Sequence, residues 1–128
     1  MLAEDDTFVF LTGGMGEFDG KCSAAVRKAK RNYPGKDIKL MLVEPYMKNE
    51  LNDNKEYYEA SFDDVVIPME LAEVHYKSAI TQRNKWMINR SDYLIAFVYR
   101  NFGGAYETLK YAKKKEGIVI INLAEKER

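Results

Sequence analysis

Five short apolar runs set the limits on what this chain can fold into. They are "TFVFLT" (Thr7–Thr12), "IKLMLVE" (Ile38–Glu44), "DVVIP" (Asp64–Pro68), "YLIAFVY" (Tyr93–Tyr99) and "IVIINL" (Ile118–Leu123). Each is short, rich in β-branched or aromatic residues, and reads as a strand. None alternates cleanly between polar and apolar, so each is expected to be covered on both faces. The stretches between them place apolar residues three and four apart. Cys22, Ala25, Val26, Ala29 and Tyr33 mark one face of a helix from about Gly20, with Asp19 as N-cap and Pro34-Gly35 as the stop. Its other face carries Arg27, Lys28 and Arg31, read as solvated. Ile80, Asn84, Met87 and Ile88 mark a helix over Tyr76–Asn89, and Ala105, Thr108, Leu109 and Ala112 mark the last one. Strands that alternate with helices predict an α/β fold: one mainly parallel sheet of about five strands, with helices on both sides, in three layers. The 128 residues are expected to form one domain, 1–128.

Between Tyr46 and Asp63 the periodicity dissolves into "YMKNELNDNKEYYEASFD", expected to be a long polar loop. Charge narrows the functions open to the chain. Lys and Arg total 20, Asp and Glu total 20, and the formal net charge is zero, which argues against a nucleic-acid or membrane-surface role. No apolar run approaches the ~18 residues that cross a bilayer. The acidic start, "MLAEDD", lacks the basic and apolar regions of a signal peptide. One Cys and one His make a structural zinc site and an internal disulfide implausible, so no metal is expected and the expected setting is the cytoplasm. His75 reads as a surface or loop residue and Cys22 as a core residue.

Three segments could carry chemistry. In "TGGMGEFDG", Gly13, Gly14, Met15 and Gly16 follow a strand and precede a helix, where backbone amides can cradle an anion. A tight turn without a ligand is the alternative. In "RNFGGAYETLKYA", Gly103, Gly104 and Ala105 stand in the same relation to the last helix, whose dipole favours a phosphate or carboxylate. Both turns are expected along one edge of the sheet. In "TQRNKWMINRSD", Asn84 falls on the apolar stripe and needs partners, and Arg83 beside it suits a phosphate. A surface ion pair for Arg83, on a helix capped by Ser91-Asp92, is the alternative.

Together and in this order, "FLTGGMGEFD", "RNKWMINRSDYLIAFV" and "GGAYETLKYAKKKEGIVIINL" resemble the SLOG superfamily, named for the DNA-processing Smf/DprA proteins and the Lonely-guy phosphoribohydrolases. The pattern is nearest to a bacterial YpsA-like branch. The resemblance implies a Rossmann-like fold and a pocket for a nucleotide or nucleotide-sugar. Gly13, Gly14, Met15 and Gly16 are expected to form one wall, Arg83 and the Gly103-Gly104 turn to hold the phosphate, and Asn84 to orient Arg83 or contact the ligand. Relatives with this fold often pair through helices, which makes a homodimer one expectation and leaves the oligomeric state open. The chain begins at what corresponds to the second strand of that branch, so its first strand and helix are expected to be missing. Lonely-guy enzymes carry P-G-G-x-G-T-x-x-E after the strand. Here Phe102 stands for the proline, Tyr106 for the third glycine and Lys110 for the catalytic glutamate. The carboxylate that would stabilise an oxocarbenium-like state is thereby removed. The expected function is binding of a nucleotide-derived small molecule, with no certain cofactor. The alternatives are an N-glycosidase acting on a nucleoside monophosphate, with Arg83 and Glu107 or Glu17 in catalytic roles, and an accessory single-stranded DNA-binding module.

Overall fold

The computed structural model describes residues 7–126. The acidic start, Met1–Asp6, lies outside the described residues. The chain forms two compact units, Met1–Glu73 and Val74–Arg128.

The first unit runs β1 (Thr7–Thr12), α1 (Gly16–Asn32), β2 (Asp37–Val43), α2 (Asn49–Asp53), α3 (Lys55–Ser61), β3 (Asp64–Val66) and one 3-10 turn (Met69–Leu71). Its three strands are parallel in the order β1–β2–β3, with Thr7 opposite Asp37 and Met41 opposite Asp64. β2 is the central strand and the most buried, with Leu40, Leu42 and Val43 at 2 % exposure or less. Burying each such side chain contributes ~1.5–3 kcal/mol, so this strand carries much of the unit's core.

The second unit runs α4 (Tyr76–Asn89), β4 (Tyr93–Ala96), α5 (Gly104–Lys113), β5 (Val119–Asn122) and α6 (Leu123–Lys126). β4 and β5 pair in parallel, Tyr93 opposite Val119 and Ala96 opposite Asn122. α4 packs on α5. Its buried apolar residues are Ala79, Ile88, Ala96, Leu109, Ala112 and Ala124.

The five parallel strands therefore form two sheets, of three and two strands, and not the single sheet expected from the sequence. The reason is physical. The in-plane neighbour is chosen by backbone hydrogen bonds that leave no mark on side-chain type. Nor is every strand covered on both faces as expected, since Val9 in β1, Tyr93 and Ile95 in β4 and Val119 in β5 are exposed.

Other expectations need correction. α1 begins at Gly16, four residues before the expected start, with Met15 as N-cap. Asp19 lies inside the helix and accepts from the Met15 amide at 2.9 Å. On its inner face Ser23 and Val26 are buried, while Ala25 and Tyr33 are exposed. Arg27 is not simply solvated: its Nε donates to the Ser61 carbonyl at 3.0 Å and its guanidinium lies 5.4 Å from the Phe62 ring centroid. The segment read as a loop from Tyr46 to Asp63 contains α2 and α3.

Asp63 fastens the start of β3. Both its carboxylate oxygens accept from Lys30 Nζ at 2.6 Å, and Oδ2 also accepts from the Leu40 amide at 2.7 Å. Burial alone would raise this carboxyl, but the Lys30 and Leu40 hydrogen bonds outweigh it and hold the group below the usual aspartate value. The ionised form is thus favoured by folding. Its contribution is complete above the unfolded-state value and is lost as pH falls through the lower folded-state value. The stability difference between the parent and Asp63→Asn, measured by urea denaturation across acid pH, should therefore be constant near neutrality and vanish in acid. A difference that stays constant in acid would remove this role from Asp63.

Candidate functional site

The two glycine turns are built differently. After β1, the amide of Gly14 donates to Thr12 Oγ1 at 3.1 Å and that of Met15 to Asp19 Oδ2 at 2.9 Å. These two amides, expected to receive an anion, are already answered by the chain's own hydroxyl and carboxylate. Gly14 has φ +64°, and a Cβ added there would sit 2.6 Å from Leu42 Cδ1 in the core. Gly14 is therefore required by the fold itself. Gly13 is buried, Met15 is 48 % exposed and Gly16 is exposed. Cys22, half-buried one turn into α1, has its thiol pushed up by burial and further by Asp19, which makes it a poor nucleophile.

The turn after β4 is open. Gly103 is the N-cap of α5 with φ +96°, and no side chain caps that helix. The first amides of any α-helix have no acceptor within the helix, so those of Gly104, Ala105 and Tyr106 face outward. Gly104 has no positive φ, and a Cβ added to it meets nothing within 4 Å. Nothing in the fold demands glycine at that position.

A concavity of about 330 Å³ lies there, lined by residues 97–100 and 102–106. This is at the lower end of the ~300–1,000 Å³ usual for small-molecule sites. Phe97, Tyr99 and Phe102 are 38 %, 58 % and 64 % exposed. The Arg100 guanidinium stands 5.3 Å from the Tyr99 ring centroid and 5.7 Å from that of Phe102. The wall is held by Asn122, which is buried at the end of β5. Val98 N–H donates to Asn122 Oδ1, and Asn122 Nδ2 donates to the Val98 carbonyl, both at 2.9 Å. One side-chain amide thus continues the sheet past Ala96, where backbone pairing ends.

Of the residues singled out by sequence, Gly103, Gly104 and Ala105 line this concavity, and Arg83 and Asn84 do not. Arg83 is only 2 % exposed, and its Nε donates to Asn84 Oδ1 at 2.9 Å. Glu107 is 62 % exposed and its carboxylate lies 3.7 Å from Lys110 Nζ. Glu17 is exposed and pairs with Lys21 at 3.1 Å. His75 caps α4, its Nδ1 accepting from the Lys77 amide at 3.2 Å, and Ser91 Oγ donates to the Met87 carbonyl at the other end. Sequence reasoning missed Arg100 and the three aromatic residues. Their signal is an Arg set between aromatic residues just ahead of a glycine pair.

A second concavity, of about 340 Å³, lies in the first unit between α2–α3 and β3. Tyr58 lines it and donates to Glu50 Oε1 at 2.8 Å, a bond that pushes the phenol up to about 12, with burial and then the Glu50 and Glu44 charges adding to it.

Among the described residues, no group of three or more His, Cys, Asp or Glu side chains could hold a metal ion, and no helix is long and apolar enough to cross a membrane. No protein-family model, curated protein or solved structure matches the chain.

Proposed function

We propose that the chain binds a nucleotide-derived small molecule at the N-terminus of α5, on a Rossmann-like scaffold of the SLOG type. The observation that carries this reading is Gly104. It lines the concavity, it has ordinary helical backbone, and the fold gives no steric reason for its lack of a side chain. A close-approaching ligand supplies that reason.

The phosphate would sit on the outward amides of α5, favoured by the helix dipole. Arg100 would pair with it. The exposed rings of Tyr99 and Phe102 would take the base, since every base has a face that stacks on an aromatic ring. Binding is favoured over hydrolysis because Glu107 is solvent-exposed and paired with Lys110, which leaves it poorly placed as a catalytic carboxylate.

Calorimetric titration with adenosine 5′-monophosphate tests the reading. A charge-assisted contact is worth ~1.5–3 kcal/mol, so Arg100→Ala should weaken binding by roughly tenfold to more than a hundredfold. Gly104→Val should fold normally, because the Cβ it adds has room around it, with nothing within 4 Å, and should lose the nucleotide. Adenosine without phosphate should bind more weakly than the monophosphate. A parent protein that binds no nucleoside monophosphate, or a Gly104→Val protein that binds as the parent does, would remove the site from α5.

A further inference from the structure

The second concavity, between α2–α3 and β3, has no part in the reading above. Leu51, Tyr58, Phe62 and Val65 line it, and all four are half-buried. The Tyr58 and Phe62 rings stack with centroids 6.3 Å apart and planes 22° from parallel. Carboxylates stand on two of its walls, Glu59 on α3 and Asp64 on β3. Asp64 Oδ1 accepts from the Val65 amide at 2.8 Å, which leaves Oδ2 for another donor. Glu59 is 65 % exposed, and Lys55 Nζ reaches it only at 3.7 Å. The third carboxylate of the lining, Asp63, is already held by Lys30 and the Leu40 amide.

The charge of the unit points the same way. Whole-chain neutrality hides a division: Met1–Glu73 carries 15 Asp and Glu against 9 Lys and Arg, a formal charge of −6. A field of that sign draws cations. Shape then selects among them. Among the described residues no three His, Cys, Asp or Glu come together to hold a metal ion, so the concavity lacks the ligand set of a compact cation. It sets carboxylates on separate walls around an apolar lining instead, which suits an extended cation.

We propose that this concavity binds an aliphatic diamine, with its two ammonium groups at Glu59 and Asp64 and its methylenes against Tyr58 and Phe62. An ammonium brings three donors and no acceptor, which matches carboxylates that accept and cannot donate. The methylenes cover apolar surface that water would otherwise wet. The rings also favour a nearby cation, and Phe62 already holds the Arg27 guanidinium 5.4 Å from its centroid. An anionic ligand would meet the carboxylates. The diamine displaces Lys55 from Glu59, an exposed pair that contributes little. The proposal does not rest on the phosphate site at α5, which belongs to the second unit, so either reading can fail alone.

The test is a titration of the ¹⁵N-labelled chain with 1,4-diaminobutane, with 1-aminobutane and with magnesium chloride, all at one ionic strength. The diamine should move the amide resonances of Tyr58, Phe62 and Val65 saturably. Val65 is the nearest reporter, because its N–H is bonded to Asp64. The monoamine should bind about tenfold more weakly or worse, having one charge-assisted contact fewer. Asp64→Asn keeps an oxygen for the Val65 amide, so it should keep the fold and bring the diamine down to the affinity of the monoamine. Glu59→Gln, at an exposed position, should do the same. Lys55→Met should tighten binding by removing the competing ammonium. Asp53→Asn makes the same change of charge on α2 at a residue that does not line the concavity, and should leave the affinity as it was. Unmoved resonances, equal affinity for the two amines, or magnesium binding more tightly than the diamine would overturn the proposal. So would an equal loss in Asp53→Asn and Asp64→Asn, which would reduce the effect to the general field of an acidic unit.

Discussion

Gly14→Ala should destabilise the first unit by ~2–5 kcal/mol, the sum of two separate penalties. The left-handed backbone at φ +64° costs an alanine ~1–2 kcal/mol. Overpacking costs ~1–3 kcal/mol more, because the new Cβ would lie 2.6 Å from Leu42 Cδ1. Leu42 is 2 % exposed and cannot yield into solvent. Hydrogen exchange of the β1 and β2 amides would report the loss. The two penalties can be separated. In a Leu42→Ala background the steric part disappears, and Gly14→Ala should then cost only the conformational ~1–2 kcal/mol. Gly104→Ala makes the contrast. With no positive φ and no atom within 4 Å, it should be neutral or stabilising, since alanine is preferred over glycine in helices by up to ~1 kcal/mol. An equal cost at both positions would undo the distinction between a glycine kept for packing and one kept for a ligand.

That distinction was not legible in the sequence, where the two turns look alike. Each follows an apolar run and precedes a helix. What separates them is what meets the missing side chain, and that depends on a strand thirty residues away. Elements with strong local signals were legible. β1 spans Thr7–Thr12, and α4 spans Tyr76–Asn89, as read from pattern alone. α2 and α3, of five and seven residues, are too short for a helical period to show. Contacts such as Tyr58–Glu50 and the stacked Tyr58–Phe62 pair hold them instead. The start of α1 is hidden in the sequence because a capping Asp ordinarily precedes its helix, whereas Asp19 accepts from the Met15 amide from within α1. On α4 the buried set is Ala79, Arg83 and Ile88, while Ile80 is 37 % exposed. A charged residue is not assigned to a core stripe, so the pattern points to Ile80 and Asn84 where Ala79 and Arg83 are buried, and agrees with the structure at Ile88. Within the candidate site the glycine pair was legible because its backbone role is encoded locally. Arg100 and Phe102 were not, since an Arg and exposed rings in a turn resemble any solvated loop.

Asn122→Ala should cost ~2–3 kcal/mol and weaken nucleotide binding as well. The side chain makes two hydrogen bonds to Val98, one in each direction, in a place where the backbone ladder has already ended. Removing it leaves a part-buried N–H and a part-buried carbonyl without partners, each a loss of ~1–1.5 kcal/mol. It also frees the segment that carries Tyr99 and Arg100, so the ligand must then order that wall as it binds. Trp86, the only tryptophan, lies in α4 of the same unit, and its fluorescence during urea denaturation would follow the stability change. Asn122→Asp gives the finer comparison. A carboxylate can still accept from the Val98 amide but sets negative charge against the Val98 carbonyl, so one bond survives and the other turns repulsive. It should therefore rank with the alanine variant in stability rather than with the parent. Arg100→Ala should behave oppositely, losing affinity while keeping stability, because its side chain is exposed. If Asn122→Ala unfolds at a lower urea concentration yet binds adenosine 5′-monophosphate as tightly as the parent, the amide serves the sheet alone and the wall it holds does not touch the ligand.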